Sequence, residues 1–318
     1  MIIAICLERM PPSSAYHAPV LAAETIELLG GAKRVLDCTL GGGGHSQALL
    51  ESGVQSVVGV DRDPDALTAA TERLASYAAA GRFSSIQSNY ADVADHPDLE
   101  GITFDGILLD LGISSHQVDA ESRGFTFRPG APLDMRMGPD AERTASDLLN
   151  DEPEASLATT FRKFGDEPRA ARLAREIVRR RATEAFATSD DLVRAIRAVL
   201  GPRSGAADFA RLFQAVRIDV NDELSGLTRA LPALRDRLTP GGTMVVIAYH
   251  SGEDRIVKNA FREWSAACIC PPKQPVCTCR GRPLGTTITR RALTASDEET
   301  AANPRARSAR LRAWRSAE

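Results

Sequence analysis

Residues 37–46, DCTLGGGGHS, and residues 57–66, VVGVDRDPDA, decide the fold of this 318-residue chain. A short apolar run ends in Asp37, four glycines follow, and a second apolar run ends in Asp61. This order predicts a βαβ unit with a ligand at its first turn, because glycine permits positive φ angles and close backbone approach. Asp61 stands about twenty residues after the first glycine, where a carboxylate accepts hydrogen bonds from ribose hydroxyls. The two stretches therefore predict a site for a cofactor that contains adenosine.

The glycine loop alone leaves two classes of cofactor open, a dinucleotide and S-adenosylmethionine. The dinucleotide fingerprint G-x-G-x-x-G/A, counted from Gly41, meets Ser46 at its sixth position. A pyrophosphate also favours bare backbone donors at a helix start, and Asp37 would place a negative charge nearby. S-adenosylmethionine has no phosphate and carries a cationic sulfonium. The loop therefore favours S-adenosylmethionine over a dinucleotide.

Short apolar runs separated by helix-like segments predict an α/β fold with a doubly wound, Rossmann-like parallel sheet. The predicted strands are 34–38, 56–61, 83–87, 104–110, 243–249 and 286–290. The early helices are predicted at 20–29, 45–52 and 64–79.

The alternation stops between about residues 118 and 210, where Ala, Arg, Glu and Leu dominate. We expect an inserted helical subdomain for substrate recognition over 118–210. Residues 1–117 and 211–318 then form the two parts of the sheet domain, the second with a basic tail. Because ligands bind at the carboxyl ends of the strands in such sheets, the insertion is expected to form a wall of the active site.

The net charge of −3 excludes a basic field over the whole surface. Six arginines nevertheless lie within 169–181, and five lie within 305–315. These clusters are candidate phosphate contacts with little base specificity, and solvated helix faces are the alternative.

No apolar stretch reaches the length of a membrane span, so no membrane partner is expected. Residues 1–10 are apolar but lack a basic start, which indicates a non-conforming leader or a start-site extension. We expect a cytoplasmic protein with reduced cysteines.

Four cysteines are clustered in CICPPKQPVCTC, residues 268–279. Within each pair one residue separates the cysteines, whereas zinc-binding pairs usually have two to four. The pattern favours a reduced, locally packed loop, and zinc or a disulfide remain alternatives. No metal is predicted in the active site. The cysteines are Cys268, Cys270, Cys277 and Cys279.

Further motifs make the chain resemble a known family, the ribosomal small-subunit RNA (cytosine-N4)-methyltransferases of the RsmH/MraW type. They occur in the family's order and, with the glycine loop and GVDRDPDA, cover residues 17–313. They are HAPVL at 17, GILLDLGISSHQVD at 106, RGFTF at 123, PLDMRM at 132, FQAVRIDVNDEL at 213, YHSGEDRIVK at 249 and NPRARSARLRA at 303.

The resemblance implies a class I S-adenosylmethionine-dependent methyltransferase. Its activity would be methylation of the exocyclic 4-amino group of a cytosine in the decoding region of 16S rRNA. The partner would be 16S rRNA within the small ribosomal subunit, and the oligomeric state stays open. The implied cofactor-binding residues are Gly43, Gly44, His45, Asp61, Tyr90, Asp110 and Gln117. Reasoning from the residues alone supports Gly43, Gly44, Asp61 and Asp110. Tyr249 and Gly252 depart from the Phe and Leu that are usual in the family.

Methyl transfer to a cytosine amino group develops positive charge on nitrogen, so an acceptor near its N–H is required. The catalytic candidates are Asp110 and His250. Asp110 either orients the cofactor's ammonium group, which we favour, or accepts the proton. The strand-end motif Asp-Leu-Gly lacks a stacking ring, so an aromatic from elsewhere must stack on the base. The substrate-binding candidates are Phe125, Phe127, Asp134, Arg136, Tyr249 and Arg255.

Three other functions compete with this prediction. They are a nicotinamide-dependent dehydrogenase, a non-catalytic RNA-binding or assembly factor, and a methyltransferase that acts on DNA or protein. The absence of a Pro-Pro-aromatic motif after the fourth strand argues against a DNA substrate.

Overall fold

A computed structural model describes residues 19–113, 117, 120–271, 274, 276 and 278–318. The predicted leader, His17 of the HAPVL motif and Cys277 lie outside these residues. The strands are β1 (Arg34–Asp37), β2 (Ser56–Asp61), β3 (Phe83–Gln87), β4 (Phe104–Asp110), β5 (Leu238–Ala248), β6 (Gly285–Thr287) and β7 (Arg310–Ser316).

Helices cover the sheet. A separate helical layer is formed by the helices that follow β4 and precede β5 in the sequence. Those before β4 are α1 (Ala22–Leu29), α2 (Gly44–Glu51), α3 (Pro64–Arg73) and α4 (Ala75–Ala79). Those between β4 and β5 are α5 (Ala145–Asp151), α6 (Glu154–Lys163), α7 (Ala170–Arg181), α8 (Ser189–Leu200), α9 (Ala206–Val220) and α10 (Glu223–Arg235). The last two are α11 (Ser251–Ser265) and α12 (Asp297–Ala302). No helix in the described ranges is long and apolar enough to cross a membrane.

The strands form one seven-stranded sheet in the order β3-β2-β1-β4-β5-β7-β6. The five strands from β3 to β5 are parallel, whereas β7 is antiparallel to both of its neighbours. The strand order reverses between β1 and β4, which is where open α/β sheets bind their ligands. The predicted α/β fold with a doubly wound sheet is confirmed.

Both faces of the sheet are covered, which explains the continuous apolar runs in its central strands β4 and β5. Ile107 and Leu109 of β4 face the core that α10 and α11 complete, whereas Leu108 faces the core beneath α1 and α2. Adjacent strand residues thus pack against different helical layers, so the strands lack the apolar–polar alternation of a one-sided sheet.

The C-terminal segment is a strand inside the sheet, so its description as a basic tail is wrong. Leu311, Ala313 and Trp314 of β7 are fully buried. Arg312 stands between two of them and makes two hydrogen bonds to Asp254, of 2.6 and 3.1 Å. The sequence did not predict this strand, because alternating arginines and apolar residues are also typical of a solvated basic segment.

The helices between β4 and β5 pack around a core of their own. This core extends from Leu133 to Val220 and includes Leu212, Phe213 and Val216 of α9. The boundary expected at residue 210 falls inside α9. Because the buried face of α9 packs within this core, the helical region continues to Val220.

Candidate active site

A cleft of about 610 Å³ lies at the carboxyl ends of β1, β2, β4 and β5. The glycine loop forms its floor, and α9 contributes a side wall through Ala210, Gln214 and Arg217. The segment before β7 closes another side through Asn303, Arg305 and Ser308. Eight of the residues expected to be functional line the cleft: Gly44, His45, Asp61, Tyr90, Asp110, Gln117, Tyr249 and His250.

The glycine loop is held against the end of β2 by the Asp61 carboxylate. One oxygen of Asp61 accepts a 2.8 Å hydrogen bond from the Gly41 N–H, and the other accepts a 2.9 Å bond from the Asp63 N–H. A carboxylate has about four acceptor positions, so each oxygen keeps one for a ligand. Burial raises the pKa of Asp61 to about 6, so this group ionises close to neutral pH.

Gly43 stands immediately before α2 with φ at +78°. A Cβ atom there would lie 3.2 Å from Leu74 Cδ1 and 3.3 Å from Ala70 Cβ. Both the left-handed backbone and the close packing on α3 therefore require glycine. Gly43 itself shapes the floor of the cleft, and the next residue, Gly44, lines it.

Asp37 has a structural role that the sequence analysis missed. It is fully buried and is absent from the cleft lining. The Ser46 hydroxyl donates a 2.7 Å hydrogen bond to its carboxylate, which ties the first turn of α2 to the end of β1. Burial also raises the pKa of Asp37. The carboxylates that line the cleft are those of Asp61 and Asp110, whereas Asp37 lies outside its lining.

Asp110 is fixed at the end of β4 by two side chains. The Tyr249 hydroxyl donates a 2.8 Å hydrogen bond to its Oδ1, and His45 Nε2 lies 3.4 Å from its Oδ2. Burial lowers the pKa of His45, but the hydrogen bond and charge of Asp110 outweigh burial and hold it above the ordinary value. Burial and then the charge of Asp110 raise the pKa of Tyr249, so Tyr249 stays a neutral donor. The three groups form one connected unit.

His250 caps a helix with one ring nitrogen and contacts a carboxylate with the other. Its Nδ1 accepts backbone hydrogen bonds of 3.2 Å from Gly252 and 3.4 Å from Glu253, at the start of α11. Its Nε2 lies 3.1 Å from Glu253 Oε1. Although the ring lines the cleft, both nitrogens face α11. Asp110 is therefore better placed than His250 to accept a proton from a substrate.

Tyr90 and Gln117 connect elements around the cleft. The Tyr90 hydroxyl donates a 3.1 Å hydrogen bond to the Glu223 carbonyl at the start of α10. Gln117 Nε2 donates a 2.8 Å bond to Asp63 Oδ2, at the N-terminus of α3. Each side chain thus spans from the cleft to an element that frames it.

Arg217 is a cleft residue that the sequence analysis did not select. Its Nε and Nη2 donate bonds of 2.8 and 2.9 Å to the Glu223 carboxylate, and both side chains are buried. The signal was present in FQAVRIDVNDEL, where the two charges stand six residues apart. That spacing does not pair residues on one continuous helix. The pair forms because α9 ends at Val220 and the chain turns through Asp222, at φ +49°.

The remaining substrate candidates lie outside the cleft lining. Phe127 packs edge-on against Phe209 and Phe213 of α9, with ring centroids 6.0 and 6.1 Å away. Arg136 pairs with Asp134 through bonds of 2.9 and 2.8 Å. The other two are Phe125, half-buried against the helical core, and Arg255, exposed on α11. Among the six candidates, only Tyr249 lines the cleft.

Many of the clustered arginines already have partners within the chain. Arg181 donates to the carbonyls of Leu149 and Glu152, and Arg169 donates to that of Val199. Arg179 and Arg180 both bind Glu176. These bonds occupy several N–H donors of the 169–181 cluster, and Glu176 offsets one of its positive charges.

The cleft fits S-adenosylmethionine on several counts. Asp61 offers acceptors for ribose hydroxyls, and Asp110 adds a second carboxylate suited to a cationic ligand. In addition, His45 Nδ1 is buried without a hydrogen-bond partner in the described part of the chain. A buried polar atom of this kind indicates a missing partner.

Comparisons with known proteins agree with this geometry. The family model described as the MraW methylase family matches residues 14–317. Ribosomal RNA small subunit methyltransferase H of Gemmatimonas aurantiaca is 66% identical over 305 residues, which are 96% of each chain. The protein of that name from Heliobacterium modesticaldum is 48% identical over 94% of this chain and 97% of its own.

Among solved structures, an rRNA methylase from Streptococcus thermophilus aligns at a TM-score of 0.42 and 10% identity. The alignment covers 93% of this chain and 94% of that one. The family assignment comes instead from the full-length family match and the close relatives. The chain therefore belongs to the MraW methylase family and is an S-adenosylmethionine-dependent methyltransferase.

Proposed function

We propose that the chain methylates the exocyclic 4-amino group of a cytosine in the decoding region of 16S rRNA. Its relatives are named ribosomal RNA small subunit methyltransferase H, which supports small-subunit ribosomal RNA as the substrate. The observation that carries the chemistry is the Asp110 carboxylate in the cleft, oriented by Tyr249 and His45.

A cytosine amino nitrogen is a weak nucleophile, because its lone pair is delocalised into the ring. As the N–CH₃ bond forms, positive charge develops on that nitrogen, and an acceptor at its N–H stabilises the charge and takes the proton. S-adenosylmethionine supplies an electrophilic methyl group, whose bond to sulfur breaks with its electron pair remaining on sulfur.

The residues of the cleft divide the work of binding between them. We propose that Asp61 binds the ribose hydroxyls and that Tyr90 contacts the adenine. The glycine loop and His45 contact the rest of the cofactor. Gln117 supports this end of the cleft through Asp63. Asp110 serves the opposite end, where the methyl group and the target base meet.

Asp110 has two possible partners, the cofactor's ammonium group and the amino proton of the base. Its Oδ1 accepts a hydrogen bond from the Tyr249 hydroxyl and its Oδ2 faces His45. Each oxygen therefore keeps an acceptor position for a ligand. Asp110→Asn separates the roles. A loss of cofactor affinity indicates orientation, whereas a loss of turnover at unchanged affinity indicates proton acceptance.

The assembled small subunit in the cytoplasm is the substrate form that we propose. The net charge of −3, and the internal bonds that occupy N–H donors of the clustered arginines, support a particle over free RNA as the substrate. An assembled particle presents its RNA in a fixed shape, so fewer phosphate contacts are needed.

The test is methyl transfer from labelled S-adenosylmethionine to small subunits that lack the modification, with naked 16S rRNA in parallel. We expect label in 4-N-methylated cytidine from the subunits and much less from naked RNA. Label on another nucleoside would refute the cytosine assignment. Equal labelling of naked RNA would refute the preference for the particle.

A further inference from the structure

The loop between α11 and β6, residues 266–284, gathers three cysteine sulfurs. The Sγ atoms of Cys268, Cys270 and Cys279 all lie within 4.8 Å of one another. Those of Cys268 and Cys279 are 3.9 Å apart, far beyond the ~2.05 Å of a disulfide bond. Tetrahedral zinc with Zn–S bonds of about 2.3 Å holds its sulfurs about 3.8 Å apart. The observed spacing thus matches an edge of a zinc–thiolate tetrahedron.

Backbone donors surround these sulfurs. The Ile269 N–H donates to Cys279 Sγ at 3.4 Å, and the N–H groups of Thr278 and Cys279 donate to Cys270 Sγ. These bonds help to fix the positions of the sulfurs in the loop.

The described residues in the middle of the loop bury little apolar surface. Among the loop residues that the structure describes, Ile269 is 45% and Val276 71% exposed, and Leu284 packs against the core of the sheet domain only at the loop's end. Loops of this length without secondary structure are uncommon in compact domains. The described bonds between the loop and the domain lie towards its C-terminal end: Leu284 N donates to the Trp264 carbonyl at 2.8 Å, Ala317 N donates to the Leu284 carbonyl at 2.9 Å, and Arg280 donates to the Glu263 carbonyl. A metal ion supplies the missing cross-link where burial cannot.

The cluster belongs to the end of the sheet opposite the cleft. β6 begins at Gly285, which pairs with Ser316, and the neighbouring Arg315 pairs with Thr243 near the start of the paired part of β5. The cleft lies beyond Ala248, at the other end of that strand. Five residues of strand separate these levels, a distance of about 16 Å. A metal at this end of the sheet stabilises the loop and takes no part in methyl transfer.

We propose that Cys268, Cys270 and Cys279 are ligands of a structural zinc ion. Thiolates are soft ligands, which select zinc over magnesium or calcium. The fourth ligand is left unassigned. This proposal replaces the expectation of a reduced, metal-free loop, which was drawn from the unusual spacing of one residue within each pair. The spacing is no obstacle, because the chain reverses between Cys270 and Cys279 and brings the pairs together.

The first test is the metal content of the untagged full-length protein, purified under reducing conditions from zinc-supplemented cells. Inductively coupled plasma mass spectrometry should find about one zinc per chain. A mercurial reagent that blocks thiols should release it to a chromogenic chelator. Protein without metal, protein with iron in place of zinc, or an intact mass that is 2 Da low from a disulfide would each overturn the proposal.

Variants assign the ligands. Cys268→Ser and Cys279→Ser should each lower the zinc content at least tenfold and speed proteolysis within 266–284, whereas Cys6→Ser, outside the loop, should keep the full zinc content. Binding of S-adenosylhomocysteine reports that each variant is folded. A serine variant that binds the cofactor product and retains one zinc would refute its residue as a ligand. This inference does not depend on the RNA substrate, so a failed methylation assay leaves it intact.

Discussion

Protonation of Asp61 should weaken cofactor binding in a defined pH range. Its carboxylate is buried, with a pKa raised to about 6, and accepts N–H groups from Gly41 and Asp63. Only the ionised form offers acceptors on both oxygens for ribose hydroxyls. Affinity should therefore be constant above about pH 7 and fall as the pH drops through 6.

The magnitude follows from the pKa. The rise from 3.8 to about 6 is about 2.2 units, so ionising Asp61 in the free protein costs about 3 kcal/mol relative to the unfolded chain. Because the folded pKa is the higher one, this group's contribution to stability declines as pH rises from about 4 to 6 and is constant above that range. Cofactor affinity changes in the opposite direction, because it requires the ionised form and therefore falls as the pH decreases. At pH 5 about one molecule in ten has the ionised group, so affinity should fall about tenfold.

The assay is calorimetric titration with S-adenosylhomocysteine between pH 5 and 8, because this product binds without turnover. Asp61→Asn should weaken binding at pH 8 by about 1.5–3 kcal/mol, roughly ten- to a hundredfold. It should also abolish the Asp61 component of the pH dependence. Asp98→Asn, at a side chain that is 73% exposed, serves as the matched control. A flat profile in the wild type, or an unchanged profile in Asp61→Asn, would refute the reasoning; the latter would point to His45.

Three further substitutions test the geometry of the cleft. Tyr249→Phe removes the 2.8 Å donor to the Asp110 carboxylate but keeps the ring, and should slow single-turnover methylation about two- to tenfold; an unchanged rate would contradict that role. Arg217→Ala leaves the buried Glu223 carboxylate without its ion-pair partner and should lower the free energy of unfolding, measured in urea, by about 3–5 kcal/mol. The double variant Arg217→Met with Glu223→Gln should recover much of this lost stability. Gly43→Ala should weaken S-adenosylhomocysteine binding by about 1 kcal/mol or more, because φ is +78° and α3 is close. Gly53→Ala, at φ +109° in open space, separates backbone strain from crowding; equal effects on binding would contradict the crowding argument.

Short sequence patterns predicted those parts of the site that depend on residues close to one another in the sequence. The glycine loop, Asp61 and Asp110 followed from apolar runs that end in a turn or a carboxylate, because parallel strands place such ends at one edge. The strand β7 was not predicted, because its arginines alternate with the buried Leu311 and Ala313. The high density of charge made this two-residue strand periodicity resemble a solvated basic segment.

Contacts between distant elements lay beyond the reach of the sequence. The Arg217–Glu223 pair depends on the turn between α9 and α10, and the burial of Asp37 depends on Ser46 folding back over the end of β1. The capping role of His250 requires the backbone of α11 to begin at Ser251. In each case the residue type was visible, but its partner was set by the tertiary packing.

The most direct test of the central claim maps nucleosides of 16S rRNA by mass spectrometry in cells that lack the gene. Wild-type protein and Asp98→Asn should restore 4-N-methylated cytidine in the decoding region, whereas Asp110→Asn should not. A deletion that leaves every methylated cytidine of 16S rRNA in place, or full restoration by Asp110→Asn, would contradict the account.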